Sequence, residues 1–187
     1  MNKTTDIINT RQLLDSFEET TSRLIDSLSL FTEKEINIIP FEWSWTAAQV
    51  GEHLLKSGKG IINVLNGKTE PTKRNPLEQV AIIESIFLDF TKKAQSAKSL
   101  WPSKEDKNKK ELISALQSIM EELKKTASEK DITLTCVDYP FPTLGNFTRY
   151  EWMVFVICHT KKHTHQIDNI HRSISNWTRD FCLNTKI

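Results

Sequence analysis

Apolar residues recur every three or four positions over most of the chain, which is the spacing that lines side chains along one side of an α-helix. One such row, from Ile7 to Phe31, predicts a long first helix. A second helix is predicted over about residues 46–66, ending near Gly67, and a last one from about residue 149 into the 170s. Each of these helices has one side suited to burial and one suited to solvent.

Shorter rows occupy the middle of the chain. The row made by Val80, Ile83, Phe87, Phe90 and Ala94 predicts a short helix. The row from Leu112 to Leu123 predicts a fourth long helix, and the segment DITLTCV, residues 131–137, is interpreted as an extended loop. Four long helices, one short helix and long crossover loops predict an all-α four-helix bundle, folded as a single domain over residues 1–187.

Two helix starts carry the signature of a capping box. In TAAQ (Thr46 to Gln49) and TRYE (Thr148 to Glu151), the threonine hydroxyl can accept a hydrogen bond from the backbone N–H three residues on. The Gln or Glu side chain can return a bond to the threonine backbone. Gln49 and Glu151 therefore have structural roles, and neither is assigned a catalytic one.

Histidines interrupt the apolar side of the last helix. At 100° per residue, one narrow arc of this helix carries Trp152, His159, His163, Ile170 and Trp177. His165 and His171 project away from that arc, so two histidines are predicted to face the core and two to face outward. His53 lies at the flank of the apolar row of the second helix, where it faces a neighbouring helix.

A buried imidazole without a hydrogen-bond partner or a metal ion lowers the stability of the fold by about 1–3 kcal/mol. Two such rings, one helical turn apart, are therefore expected to share a partner. One such partner is a divalent metal ion bound by His53, His159 and His163, with a coordination position left for water or substrate. A His-x-x-x-His pair is a weak signal alone. A hydrogen-bonded core pair and an error in the predicted facing are the alternatives.

Helix geometry constrains this triad. His53 lies roughly 10 Å beyond the start of its helix, and His159 and His163 lie roughly 16–22 Å beyond the start of theirs. If the two helices run parallel, their starts must be staggered by about one or two turns. If the two helices do not run parallel, the three rings are expected not to meet.

Two segments resemble the DinB-like superfamily. WTAAQVGEHL, Trp45 to Leu54, is similar to its Trp-Ser-x-x-Glu-x-x-x-His-Leu segment. GNFTRYEWMVFVICHTKKHTHQIDNI, Gly145 to Ile170, resembles its late segment, with a Gly, a Glu-Trp pair, and His-x-x-x-His followed three residues later by Gln. Together they cover about a fifth of the chain. The resemblance implies a bundle of the DinB/YfiT-like type.

The resemblance also implies site residues. The family's metal ligands correspond to His53, His159 and His163, and the family glutamine to Gln166, expected at the pocket or in an interhelical hydrogen bond. Thr46 replaces the family's usual serine and Gln49 its glutamate, which preserves the capping box. Cys158 points about 100° away from His159 and is interpreted as a packing residue.

Members of this superfamily include metal-dependent hydrolases and transferases that use low-molecular-weight thiols. The resemblance therefore implies a small-molecule substrate, which can be a thiol, and a divalent ion such as zinc, nickel, iron, manganese or copper. No general base is evident, because Glu52 lies about 100° around the helix from His53 and is interpreted as solvated or salt-bridged. The alternative is a non-catalytic, metal-stabilised bundle or a small-ligand-binding module.

Charge and composition narrow the partners. The chain has 25 basic and 24 acidic residues, a balance that gives no reason to expect nucleic acid or an anionic membrane surface as a partner. No run of about 18 apolar residues and no apolar signal-peptide core is present. Three cysteines, without a Cys-x-x-Cys pair, favour reduced thiols in the cytoplasm. Exposed apolar surface on the first helix is compatible with a homodimer.

Overall fold

A computed structural model describes residues 9–92 and 96–184, with side chains described as far as residue 176. The described α-helices are α1 (Thr10–Ser29), α2 (Ala47–Asn66), α3 (Val80–Phe87), α4 (Lys109–Glu129) and α5 (Arg149–Asn184). The predicted all-α fold with four long helices and one short helix is confirmed. Ile7 and Ala94 lie outside the described residues, as do the side chains of Trp177 and Cys182. No described helix is both long enough and apolar enough to cross a bilayer.

Contacts between the helices define their directions. α2 and α4 approach closely at two points, where Gly51 faces Leu112 and Gly58 faces Ile119. From the first point to the second, both chains advance by seven residues, so the two helices run parallel. α1 runs opposite to α4, because the Lys109 ammonium at the start of α4 donates to the Ser29 carbonyl, 2.9 Å away, at the end of α1. α5 packs between α1 and α2.

The connection from α2 to α4 is a long crossover, as a parallel pair requires, and it carries α3 across α5. The row that predicted α3 continued to Phe90 and Ala94, but the helix ends at Phe87. The reason is a local turn, in which the Asp89 carboxylate accepts from both the backbone N–H, at 3.1 Å, and the hydroxyl of Thr91. This turn competes with continued helix.

The interpretation of residues 131–137 as extended loop is partly wrong. Thr135–Cys136 form a strand, β2, which pairs antiparallel with β1, Thr69–Glu70. β1 follows the end of α2 and β2 precedes the start of α5, and these two ends lie side by side because Arg149 Nε donates to the Leu65 carbonyl at 2.8 Å. The small sheet therefore closes one end of the α2–α5 pair.

Both predicted capping boxes are present. In the first, Thr46 and Gln49 exchange bonds of 3.0 and 3.1 Å, and in the second, Thr148 and Glu151 exchange bonds of 2.8 and 3.1 Å. Glu151 has a further role: its fully buried carboxylate accepts two bonds of 2.6 Å from the Arg74 guanidinium and one of 2.8 Å from the Gln79 backbone. Gln79 is the N-cap residue of α3. One carboxylate thus joins the starts of α3 and α5.

Replacing Glu151 by alanine is expected to lower the free energy of unfolding by about 3 kcal/mol, because it leaves the Arg74 guanidinium and two backbone N–H groups without their buried acceptor. Urea denaturation measures the change. Gln49→Ala, in the box without a buried ion pair, is the matched control and is expected to cost only about 1 kcal/mol. Equal losses in the two variants would contradict the role given to the ion pair.

Candidate metal centre

The structure brings three histidine rings together at the interface of α2 and α5. The Nε2 atom of His159 lies 3.2 Å from Nε2 of His53 and 3.1 Å from Nε2 of His163. The candidate ligand atoms of the three residues all lie within 4.8 Å of one another. The three rings selected from the sequence therefore form one cluster, with their nitrogens turned toward a common point.

Hydrogen bonds on the far side of two rings fix which nitrogen faces that point. Nδ1 of His53 lies 3.0 Å from the Leu100 carbonyl, and Nδ1 of His163 lies 2.9 Å from Oε1 of Gln166. Both oxygens accept, so each Nδ1 carries the proton and each Nε2 presents a lone pair. Gln166 thus contacts a candidate ligand, and its role at the site stays a prediction. A carbonyl or amide partner on the non-ligating nitrogen is typical of histidines that bind metals.

The α2–α5 pair builds the cluster in an orientation that the sequence analysis considered unfavourable. The two helices run antiparallel, joined at one end by Arg149 and Leu65. His53 lies twelve residues before Leu65, about 18 Å along α2, and His159 and His163 lie ten and fourteen residues after Arg149, about 15–21 Å along α5. The expectation that only staggered parallel helices suit the triad is wrong, because distances from the joined ends match without any stagger.

Aromatic rings pack against two of the three histidines, His53 and His159. Phe155 stacks on His159 with ring centroids 5.1 Å apart, Phe87 of α3 meets the same ring edge-on at 6.1 Å, and Trp45 packs on His53 at 5.3 Å. His53 is only 1% exposed, whereas His159 and His163 keep part of their surface accessible. A small ion or molecule can therefore approach the cluster from the α5 side.

Burial keeps the three imidazoles neutral. Desolvation lowers the pKa of His53 and His159 from their usual value, and it lowers the pKa of His163 to about 4. The like charge that each protonated neighbour would carry lowers the pKa of His159 and His163 further. All three residues are therefore free bases at neutral pH, the protonation state that a metal ion requires.

The donor set and its spacing fit a divalent ion. Lone pairs held 3.1–3.2 Å apart repel each other unless a cation or a proton lies between them. A tetrahedral ion with nitrogens at about 2.05 Å places them about 3.3 Å apart, close to the distance of His159 Nε2 from each of the other two Nε2 atoms. Three imidazoles leave at least one coordination position open. Metal ligation by these residues stays a prediction that the geometry supports.

The remaining candidates lie outside the cluster. His165 stacks on Phe90 and His171 packs edge-on against Phe31, so both are turned away from the three rings as expected. Cys158 is buried, which raises the pKa of its thiol to about 11, and it is not part of the cluster. Glu52 is salt-bridged, as one interpretation had it, 3.0 Å from the Lys56 ammonium.

Sequence reasoning missed two contributors to the site, the Leu100 carbonyl and the Phe87 ring. Leu100 lies in a single-turn helix, Lys98–Leu100, within an irregular connection, and a backbone carbonyl carries no signal in the residue type. Phe87 belongs to the predicted α3 row, but only the position of α3 on α5 reveals that the ring meets His159.

Comparison with known proteins agrees with this geometry. A family model of the DinB superfamily matches residues 16–167, a range that contains all three clustered histidines. The chain belongs to the DinB superfamily. Searches of curated proteins and of solved structures found no match. The predicted family and fold are confirmed, and the match extends far beyond the two motifs that first suggested them.

The metal-free DinB protein is expected to lose stability as the pH falls from about 6.5 to about 4. In this window the unfolded chain protonates its histidines, while burial keeps His163 neutral in the folded state until its pKa of about 4. Stability is therefore highest above pH 6.5. Urea midpoints measured in chelator at several pH values test this.

His163→Ala supplies the matched comparison for that experiment, because it removes one of the buried bases. Its stability curve is expected to fall less steeply between pH 6.5 and 4 than that of the wild-type chain, whatever its stability at pH 7. Parallel curves for the two proteins would show that the imidazole of His163 does not resist protonation in the folded state.

Proposed function

We propose that this chain binds one divalent metal ion through Nε2 of His53, His159 and His163, and that it uses the ion in a reaction of a small molecule. The observation that carries the proposal is the convergence of the three Nε2 atoms, two of them fixed by acceptors on Nδ1. Membership of the DinB superfamily supports it. Zinc, nickel, iron, manganese and copper remain the candidate ions, because a nitrogen donor set does not select among them.

The ion would supply Lewis-acid chemistry, since it makes a water or a thiol in its open position a stronger nucleophile at neutral pH. The chain's own residues would hold and shield that nucleophile. Phe87 and Phe155 cover His159 on the protein side, so water reaches the cluster mainly from the partly exposed face. Either hydrolysis or thiol transfer is compatible with this arrangement.

A lysine beside the cluster favours a substrate with a negative group. Lys162 precedes His163 on α5, and its ammonium donates to the Asp89 carbonyl at 2.7 Å. Among the described residues, no carboxylate oxygen lies within 4.0 Å of this ammonium, so an ion pair does not neutralise it. Three neutral imidazoles do not neutralise a divalent ion either. We therefore propose an anionic substrate, such as a carboxylate-bearing thiol.

The proposed compartment is the cytoplasm. Cys136 and Cys158 are free and buried, and burial raises the pKa of each thiol to about 11, so both resist deprotonation and oxidation. Two unpaired cysteines in one core are typical of chains that fold under reducing conditions.

Metal analysis of the purified chain tests the metal proposal. The wild-type protein is expected to bind about one divalent ion per chain. His53→Ala, His159→Ala and His163→Ala are each expected to weaken binding at least a hundredfold, since loss of a mere hydrogen-bond partner of a ligand already costs about 10–100-fold. His165→Ala is the matched control because its ring stacks on Phe90, outside the cluster. Binding that survives all three cluster variants would refute the assignment.

Activity assays of the metal-loaded protein test the substrate proposal. Conjugation of mercaptosuccinate, which carries carboxylates, to an aromatic electrophile is expected to be faster than conjugation of the neutral mercaptoethanol. Lys162→Ala is expected to raise KM for the anionic thiol several-fold and to leave the neutral thiol unaffected. Lys161→Ala, on the exposed side of the same turn, is the control.

Nitrophenyl esters assay hydrolysis in the same preparation. If the protein binds metal but turns over neither thiols nor esters, and if His163→Ala mainly lowers the unfolding temperature, the non-catalytic alternative of a metal-stabilised bundle replaces the proposed enzyme.

A further inference from the structure

The connection between α3 and α4 contacts the candidate metal centre from two sides. Its first part lies on α5, where the carbonyl of Asp89 accepts from Lys162. Asp89 comes two residues after Phe87, the last residue of α3, whose ring meets His159. Its last part lies on α2, where the Leu100 carbonyl holds Nδ1 of His53 at 3.0 Å. The orientation of His53 therefore depends on a carbonyl from irregular backbone outside both ligand helices.

One face of α2 holds that backbone in place. Gln49, Glu52, His53 and Lys56 are spaced i, i+3, i+4 and i+7, which places them on one side of the helix. Their side chains contact three residues of the segment Leu100–Ser103, hereafter the His53 clamp. Besides the bond at Leu100, Lys56 Nζ donates to the Trp101 carbonyl at 2.7 Å.

Ser103 is held at both of its backbone groups. Its carbonyl accepts from Nε2 of Gln49 at 3.0 Å, and its N–H donates to Oε2 of Glu52, also at 3.0 Å. Glutamine and glutamate side chains one turn apart thus give Ser103 the pair of bonds that a neighbouring strand would give it. This fixes the position of the His53 clamp along α2.

Glu52 is the common acceptor of this arrangement. Its carboxylate also lies 3.0 Å from the Lys56 ammonium and 3.3 Å from the Lys107 ammonium. Burial alone would raise the pKa of Glu52, but the bonds from Lys56, Ser103 and Lys107 bring the pKa below its usual value. The carboxylate is therefore charged at neutral pH. It orients the same lysine that holds the Trp101 carbonyl.

We propose that Glu52 is a positioning residue for His53: it fixes the His53 clamp, whose Leu100 carbonyl holds the His53 ring with Nε2 directed at His159. Glu52 does not touch the ion or the substrate. The inference rests on the proposed metal site and adds a residue to it. Without Glu52, the clamp loses its central acceptor, the Leu100 carbonyl shifts, and the His53 ring can rotate out of the cluster.

This dependence is specific to His53. The acceptor of His163 is Gln166, three residues away on the same helix, so its position does not depend on the clamp. Loss of Glu52 is therefore expected to affect coordination by one of the three histidines and to leave the other two in place. A merely structural role of Glu52 would instead weaken the site through general loss of stability.

The test is a competition titration with zinc and a chelator on the full chain. Glu52→Ala is expected to weaken zinc binding about tenfold or more, as observed when residues that orient metal ligands are removed. In a His53→Ala background the same change is expected to alter the affinity by less than about twofold, because the ring that Glu52 positions is already absent. Glu122→Ala, an exposed glutamate on α4, is the control.

Spectra of bound cobalt(II) give a second measurement, since loss of one nitrogen ligand changes the visible absorption. The spectrum of Glu52→Ala is expected to move toward that of His53→Ala. If Glu52→Ala fails to fold, Glu52→Gln serves, because it keeps an acceptor for Ser103 but lacks the charge that holds Lys56 and Lys107. Its affinity is expected to lie between those of wild type and His53→Ala.

The outcomes separate the two proposals. If the wild-type chain binds no metal, the proposed function and the inference both fall. If the wild-type chain binds metal and the Glu52 variants bind it equally well, only the inference fails. An equal loss of affinity in the wild-type and His53→Ala backgrounds would also overturn the inference, because it would show an effect that does not pass through His53.

Discussion

Three imidazole rings with their Nε2 atoms turned toward one point are the constraint on which the rest of the structure depends. Ring nitrogens 3.1–3.2 Å apart repel one another unless a proton or a cation lies between them, so the fold must hold the rings in place from outside the cluster. The antiparallel α2–α5 pair is the main support. Arg149, at the start of α5, bonds to Leu65, near the end of α2, and the buried carboxylate of Glu151 fixes the start of α5. These contacts set the axial position of the helices, and the axial position decides whether the rings meet.

The bundle alone does not complete the site. The antiparallel helices determine where the rings lie, but the outward nitrogens of His53 and His163 need acceptors to fix their tautomers. His163 obtains its acceptor locally from Gln166, whereas His53 obtains one from the Leu100 carbonyl in the α3–α4 connection. That long crossover is required because α2 and α4 run parallel. A feature imposed by topology thus supplies part of the site.

Much of the fold and the cluster could be predicted because periodicity reports which side of a helix is buried. Rotation by 100° per residue separates His159 and His163 from His165 on the sequence alone. Periodicity does not report helix direction, so the expectation that the triad fails unless the helices run parallel was wrong. It also carries no information about backbone acceptors, which is why Leu100 was missed. Glu52 was interpreted only as solvated or salt-bridged for the same reason, since one of its partners is the backbone N–H of Ser103.

The charge of the site argues for the kind of molecule that it can hold. Three neutral donors would leave a bound divalent ion with its full charge, and Lys162 adds another positive charge on α5 without a carboxylate partner among the described residues. The aromatic wall of Phe87, Phe155 and Trp45 cannot compensate this charge, and it keeps the dielectric constant low on the protein side. On the proposed function, the charge of the ion would be balanced from the open side of the cluster. An anionic nucleophile bound there would be stabilised by the same ion that would activate it, so one positive field would serve both binding and reaction.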